Sequence, residues 1–281
     1  MCPWLAWPLL GLLWPTSGPL LRRGCRRSNQ KRATRSIWRR EERVGIKPAL
    51  QLRPPDPELI VSDSKIDLYL SRIDALSDEE KRRTLAMISP RERERYERFR
   101  HEPSRVCYLT TRRLIREVMS SIGAKELDYW RFRTGDKGRP FLKNATPAMS
   151  NVDFNIAHSR ELVVVAVTRS GRVGVDLEPA QREVDHEAVA RRFFSDVERE
   201  DLEKLEETRR HRRFLELWVL KEAWLKADGR GISAGLHRVV FRFDAEGHPH
   251  LKELPDDDPQ RWEVELHQIN GDHLLGLAWH G

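Results

Sequence analysis

Residues 162–178 read LVVVAVTRSGRVGVDLE, and the fold follows from how that stretch is parsed. Leu162–Thr168 is an unbroken apolar run, Ser170-Gly171 supplies a turn, and Val173–Leu177 runs back as a second strand. A strand that returns on itself predicts antiparallel sheet. Residues two apart on a strand share a face, so Asp176 and Glu178 present two carboxylates side by side. Adjacent carboxylates repel unless a cation or basic group compensates them. Hard oxygen donors suit Mg²⁺, which takes one or two carboxylates and completes its shell with phosphate and water. DxE pairs are common by chance, and taken alone, two solvated charges at a strand end are the simpler account.

Outward from this stretch, the pattern alternates between helices and short strands. Asp67–Leu70 reads as a first strand, and Ser77 with Glu80 forms a capping box that opens a helix. Ser89-Pro90 with Glu92 opens another, and a longer amphipathic helix runs from about Ser104 to Ser121 along Leu109, Leu114, Ile115 and Val118. Gly135, Gly138 and Pro140 mark RTGDKGRPFL as an irregular loop, and Asp153–Ala157 is the strand after it. Beyond Ala180 the period becomes helical through Val184–Arg192 and again from Ser195. The strongest helix spans roughly His211 to Asp228 and stops at Gly229, a C-terminal cap signal. Val239–Phe243, Trp262–Leu266 and Leu274–Ala278 read as antiparallel strands. Helices interrupting a meander of strands indicate an α+β fold.

Two further groups of residues bear chemistry. On the helix before Gly229, Trp218, Glu222 and Lys226 stand four apart and form one stripe: ring, carboxylate, ammonium. An ordinary Glu–Lys surface pair beneath a core tryptophan accounts for the stripe equally simply. His158 ends the FNIAHS strand, where its imidazole could meet a phosphate or sit satisfied in the structure.

The net charge of +7 invites a polyanion partner, but it is unevenly spread. Residues 1–58 carry 12 Lys or Arg against 4 Asp or Glu, which leaves the other residues at a net of −1. That distribution argues against nucleic acid as the partner. Residues 1–21 are apolar but hold four prolines and no preceding Lys or Arg, so neither a signal peptide nor a spanning helix fits. Residues 1–58 are therefore expected to be a disordered basic leader or an over-extended reading frame, with folding from about Leu59 and no membrane span. Of three cysteines only Cys107 lies beyond this leader, which fits a reducing, cytoplasmic compartment. Nothing resembles the nucleophile elbow or histidine cluster of a hydrolase.

In order and spacing, FNIAHS (154–159), GVDLE (174–178), RRFFSDVE ending at Glu198, and WVLKEAWLKADGRGI (218–232) resemble the signature of the 4′-phosphopantetheinyl transferase family. The resemblance is closest to its surfactin-synthetase-activating, or Sfp-type, branch, whose motifs are FNxSHS, GxDxE, F(F/S)xxE and WxxKEAxxKxxGxG. Upstream, SPRERERYERF and KGRP resemble the family's basic helix and GKP loop. The likeness runs from about Asp67 to the C-terminus.

The resemblance implies two pseudo-symmetric lobes of antiparallel sheet packed with helices, roughly 59–172 and 173–281, with coenzyme A as co-substrate in the cleft. By the same resemblance Asp176, Glu178 and Glu222 bind Mg²⁺, Glu222 serves as general base directly or through water, and Lys226 neutralises or protonates departing 3′,5′-ADP. Arg95, Arg133, Lys137, Arg139 and His158 are expected around the phosphates, with Asp176 meeting the cofactor through the metal. The expected activity is transfer of the phosphopantetheine arm to a serine of an apo acyl or peptidyl carrier protein by a monomer. A coenzyme A-binding regulatory homologue is the alternative, and the intact Asp176, Glu178, Glu222 and Lys226 argue against it. Three positions depart from the family: Ala157 where serine is usual, Arg139 for the lysine of GKP, and Leu177 where some members have a polar ligand. Glu198 matches the motif, yet Ser195 three residues before it completes a capping box, which is the expected role.

Overall fold

The computed structural model describes residues 58–62, 65–74, 76–231 and 235–281, so the expected leader lies outside the described residues except for Glu58. Two antiparallel sheets form the frame. The first runs β1-β2-β6-β5, built from β1 (Glu58–Ser62), β2 (Ile66–Arg72), β5 (Asp153–His158) and β6 (Leu162–Thr168). The second runs β10-β11-β7, from β7 (Arg172–Pro179), β10 (Glu263–Ile269) and β11 (His273–His280). Each sheet carries one 22-residue helix, α3 (Glu102–Gly123) on the first and α6 (Glu207–Asp228) on the second. Shorter helices precede them: α1 (Asp78–Met87) and α2 (Pro90–Arg98) in the first lobe, α4 (His186–Phe193) and α5 (Asp196–Glu203) in the second. In chain order a strand, a long helix, a small hairpin and two strands occur twice, and the sheet orders β2-β6-β5 and β7-β11-β10 correspond. The α+β class and its pseudo-symmetry are thus visible in the topology.

The continuous apolar run of β6 has a direct cause, because both of its faces are covered. Val163, Val165 and Val167 pack with Leu114, Ile115 and Val118 of α3. Leu162, Val164 and Ala166 meet Val173, Val175 and Leu177 of β7 and Leu275 and Leu277 of β11. The two sheets therefore bury their inner faces against each other. Since β7 gives its odd-numbered residues to this shared core, Gly174, Asp176 and Glu178 are left facing α6.

The lobes are stitched by side chains where β5 runs beside the edge of β7. Asp153 Oδ2 accepts from the Val173 N–H at 2.9 Å, and Asn155 Oδ1 accepts from the Val175 N–H at 3.2 Å. RTGDKGRPFL, expected as a loop, is a hairpin instead: β3 (Phe132–Thr134) pairs β4 (Pro140–Leu142) around Gly138 at φ 89°. A second hairpin, β8 (Val240–Phe243) with β9 (Pro249–Glu253), holds the equivalent place in the other lobe.

A buried ion pair is repeated at matching positions of the long helices. Arg116 and Lys221 are each the fifteenth residue of their helix. Arg116 pairs with Glu92 at 2.6 Å and Lys221 with Glu198 at 2.8 Å, and both glutamates close capping boxes, with Ser89 and Ser195. Glu198 also accepts from the Phe241 N–H at 3.0 Å. The expected cap is therefore one of three duties, and the others explain why the side chain is 1% exposed. Glu198→Ala leaves a buried ammonium unpaired and is expected to cost about 3–5 kcal/mol of unfolding free energy in urea denaturation.

Candidate active site

The site forms where α6 lies across β7. A Cβ on Gly174 would come within 2.0 Å of the Ala223 carbonyl oxygen, and one on Gly276 of β11 within 2.4 Å of the Val219 carbonyl. These two glycines let the helix backbone descend onto the strands. Glu222 and Lys226, one turn apart on α6, are thereby delivered to Asp176 and Glu178 on β7.

Lys226 donates to Asp176 Oδ1 at 2.6 Å and to the Val175 carbonyl at 3.0 Å. Arg182, in the connection between β7 and α4, pairs with Glu178 Oε1. The Trp218 indole N–H also donates to Glu178. Glu222 is 6% exposed and its Oε1 has no hydrogen-bond partner, and the same holds for Asp176 Oδ2. Burial, then repulsion from Asp176, pushes Glu178 up to about 7 and Glu222 up to about 8. Buried Asp176 and Glu222 with two orphaned oxygens, and the half-buried Glu178 beside them, are a hard-oxygen donor set that fits a divalent cation such as Mg²⁺.

His158 reaches the same cleft from β5, within electrostatic range of Lys226 and Asp176. Its Nδ1 lies 3.2 Å from the Ser159 carbonyl, so Nδ1 carries the proton and the buried, unpartnered Nε2 offers a lone pair. Burial lowers the imidazole to about 4. In this setting the imidazole is neutral at pH 7, and donating from Nε2 to a phosphate takes either an added proton or a change of tautomer.

Of the expected phosphate cluster, Arg139 has its guanidinium bonded within the protein. It is 5% exposed, paired with Asp153, and donates to the carbonyls of Val173 at 2.9 Å, Phe154 at 3.4 Å and Lys226. Those contacts make it a structural tie between β4, β5, β7 and α6, with little left for a ligand. Arg133 and Lys137 are exposed on the β3–β4 hairpin, Arg133 over the Phe141 ring, and Arg95 is half-buried on α2.

Arg182 was not singled out by sequence reasoning, since it lies in a segment without periodicity. Its spacing of four from Glu178 was the available signal. Apart from the trio of Asp176, Glu178 and Glu222, Glu161, Asp272 and His273 are the group among the described residues whose potential ligand atoms lie within 4.8 Å of one another. Both nitrogens of its imidazole are already engaged, with Asp272 at 2.8 Å and Ser159 Oγ at 3.0 Å. That group bridges the β5–β6 turn to β11 and so fixes the segment that carries His158.

A histidine whose folded pKa lies below its unfolded value of about 6.5 withdraws stability as pH falls from that value toward the folded one. Wild-type protein should therefore lose stability relative to His158→Asn as pH drops from 6.5 to 4, measured by paired denaturation curves.

The family models that match are the 4′-phosphopantetheinyl transferase superfamily over residues 172–278 and the 4′-phosphopantetheinyl transferase N-terminal domain over residues 76–170. Among similar proteins, the 4′-phosphopantetheinyl transferase Sfp of Bacillus subtilis is 33% identical over 67% of this chain and 80% of its own. The 4′-phosphopantetheinyl transferase HetI of Nostoc sp. is 29% identical over 64% of this chain and 75% of its own. An L-aminoadipate-semialdehyde dehydrogenase-phosphopantetheinyl transferase of Mus musculus is 25% identical over 68% and 66%. The boundary between the two family models falls at residues 170–172, between β6 and β7, where one sheet gives way to the other. The chain belongs to the 4′-phosphopantetheinyl transferase superfamily and is of the Sfp type.

Proposed function

We propose that this chain transfers the 4′-phosphopantetheine arm of coenzyme A to a serine of an apo acyl or peptidyl carrier protein, releasing 3′,5′-ADP. The observation that carries the chemistry is the trio of buried Asp176 and Glu222 with half-buried Glu178, two of its oxygens unpartnered, set beside Lys226. Mg²⁺ held by this trio would neutralise charge on the coenzyme A diphosphate. The transfer breaks the bond between the diphosphate's bridging oxygen and the phosphorus bearing pantetheine, and forms a bond from that phosphorus to the serine oxygen.

Glu222 receives the serine proton, directly or through a water. Its unpartnered Oε1 suits that role, and because a bound cation lowers the basicity of its ligands, the relay through water is the better route. Lys226, anchored on the Val175 carbonyl, places its ammonium where negative charge builds on the departing 3′,5′-ADP. Arg95, Arg133 and Lys137 supply cations for the phosphates, and His158 lines the cleft beside them. Arg139 acts in this scheme by holding β7 and the end of α6 against the first lobe.

The cleft lies between two lobes of one chain, which supports a monomeric enzyme. No helix among the described residues is long and apolar enough to cross a membrane. A cytoplasmic setting is part of the proposal, in keeping with the buried thiol of Cys107. No observation favours a coenzyme A-binding regulator over the transferase, whose full set of carboxylates and lysine is present.

Full-length protein incubated with Mg²⁺, coenzyme A and an apo carrier protein should raise the carrier's intact mass by one phosphopantetheine. Glu222→Ala should abolish that increase while keeping a cooperative thermal transition, and full transfer by this variant would defeat the mechanism. Asp176→Ala should need far more Mg²⁺ than wild type, and an unchanged Mg²⁺ dependence would remove Asp176 from the metal site.

A further inference from the structure

We propose that Arg182 is a positioning residue with two addresses: it holds Glu178 before a divalent cation binds, then passes to the diphosphate of coenzyme A. The inference rests on the metal assignment above and adds a residue to it. Glu178 is held by two donors of different kinds. The Trp218 N–H comes from the middle of α6, is neutral, and is fixed by a 3%-exposed ring. The Arg182 guanidinium comes from the connection after β7 and carries a full charge. That connection is tied locally by a backbone bond from Arg182 to the Pro179 carbonyl at 3.0 Å, which leaves the side chain to reach back to Glu178.

Charge decides which cation can be released. The cleft sets three carboxylates, Asp176, Glu178 and Glu222, against two cations, Lys226 and Arg182. A bound divalent ion adds two positive charges among those carboxylates. One side-chain cation then becomes surplus at its carboxylate and is repelled by the ion. Lys226 has a second anchor on the Val175 carbonyl and sits on a buried helix. Arg182, among the described residues, has Glu178 as the one hydrogen-bond partner of its guanidinium. Arg182 is the cation that can leave. Its planar fork matches the nearest new anion, a phosphate drawn to the same ion, in a bidentate way that lysine does not.

Two consequences separate this role from simple support of Glu178. Removing Arg182 should strengthen binding of a divalent ion alone, because a competing charge is gone. It should weaken binding of coenzyme A once the ion is present, because a phosphate ligand is gone. Support alone predicts weaker ion binding.

The test uses the full chain with Mn²⁺ as probe, followed by the free-Mn²⁺ EPR signal, and calorimetric titration of coenzyme A in saturating Mn²⁺ without carrier protein. Arg182→Ala should bind Mn²⁺ about five-fold more tightly than wild type and coenzyme A about five- to ten-fold more weakly. Arg182→Gln, which keeps a donor and drops the charge, should move the same way, and Arg182→Lys should lie between. Unchanged or weaker Mn²⁺ binding by both neutral variants overturns the first address, and unchanged coenzyme A binding overturns the second. Asp176→Ala is the control for the underlying reading. If it keeps wild-type Mn²⁺ affinity, the metal assignment fails and this inference falls with it; if it loses Mn²⁺ while the Arg182 variants match wild type, only the Arg182 inference fails.

Discussion

No side chain fits between α6 and β7 at Gly174, and the chemistry of the molecule depends on that gap staying closed. The helix backbone comes down until a carbonyl of α6 would lie within bond-like distance of any added Cβ. At that separation the carboxylates of the two elements share one dry pocket. Burial first, and then their mutual repulsion, raises Glu178 and Glu222, and a divalent ion would relieve the repulsion. Gly276 performs the same service on β11 one turn earlier along the helix. A wider helix–sheet spacing would admit water, relax the carboxylates to ordinary acidity and dissolve the reason for a cation to bind there.

Much of this was legible in the residues, and what was not has a common cause. LVVVAVT and the capping serines Ser77, Ser89 and Ser195 specify local structure through period and nearest neighbours, and the strand and helix starts follow them. The β3–β4 hairpin did not show, because Gly135, Gly138, Pro140 and four charges within ten residues read as punctuation. Its pairing is decided by packing against β5. Asp176, Glu178, Glu222 and Lys226 could be paired off by spacing within each element, but that the two pairs face each other is a tertiary fact. Arg139, Arg182 and Glu198 were hidden in the same way. Each meets at least one partner supplied by the fold: the Lys226 carbonyl, a carboxylate crowded by α6, and the Lys221 ammonium.

The two lobes keep the same skeleton and divide the labour. Both hold a buried glutamate under a cation at the fifteenth residue of the long helix. One residue further on, Glu117 in α3 stands where Glu222 stands in α6, and Ser121 stands where Lys226 does. In the first lobe, however, Ser121 meets the Tyr69 hydroxyl and Glu117 pairs with Arg113 at 3.6 Å. The shared part of the pattern is the part that packs. The part that differs is the carboxylate trio, kept in the second lobe and replaced in the first by groups with no surplus of negative charge.

Arg139 gives this architecture a mechanical character. By tying Asp153 of one lobe to the carbonyls of Val173 and Lys226 in the other, it turns the seam into a weld where a hinge would otherwise be expected. A welded cleft does not close around its substrates like a jaw. Opening it would break these bonds, so side-chain rotations, in picoseconds to nanoseconds, come more cheaply there than domain closure in microseconds to milliseconds.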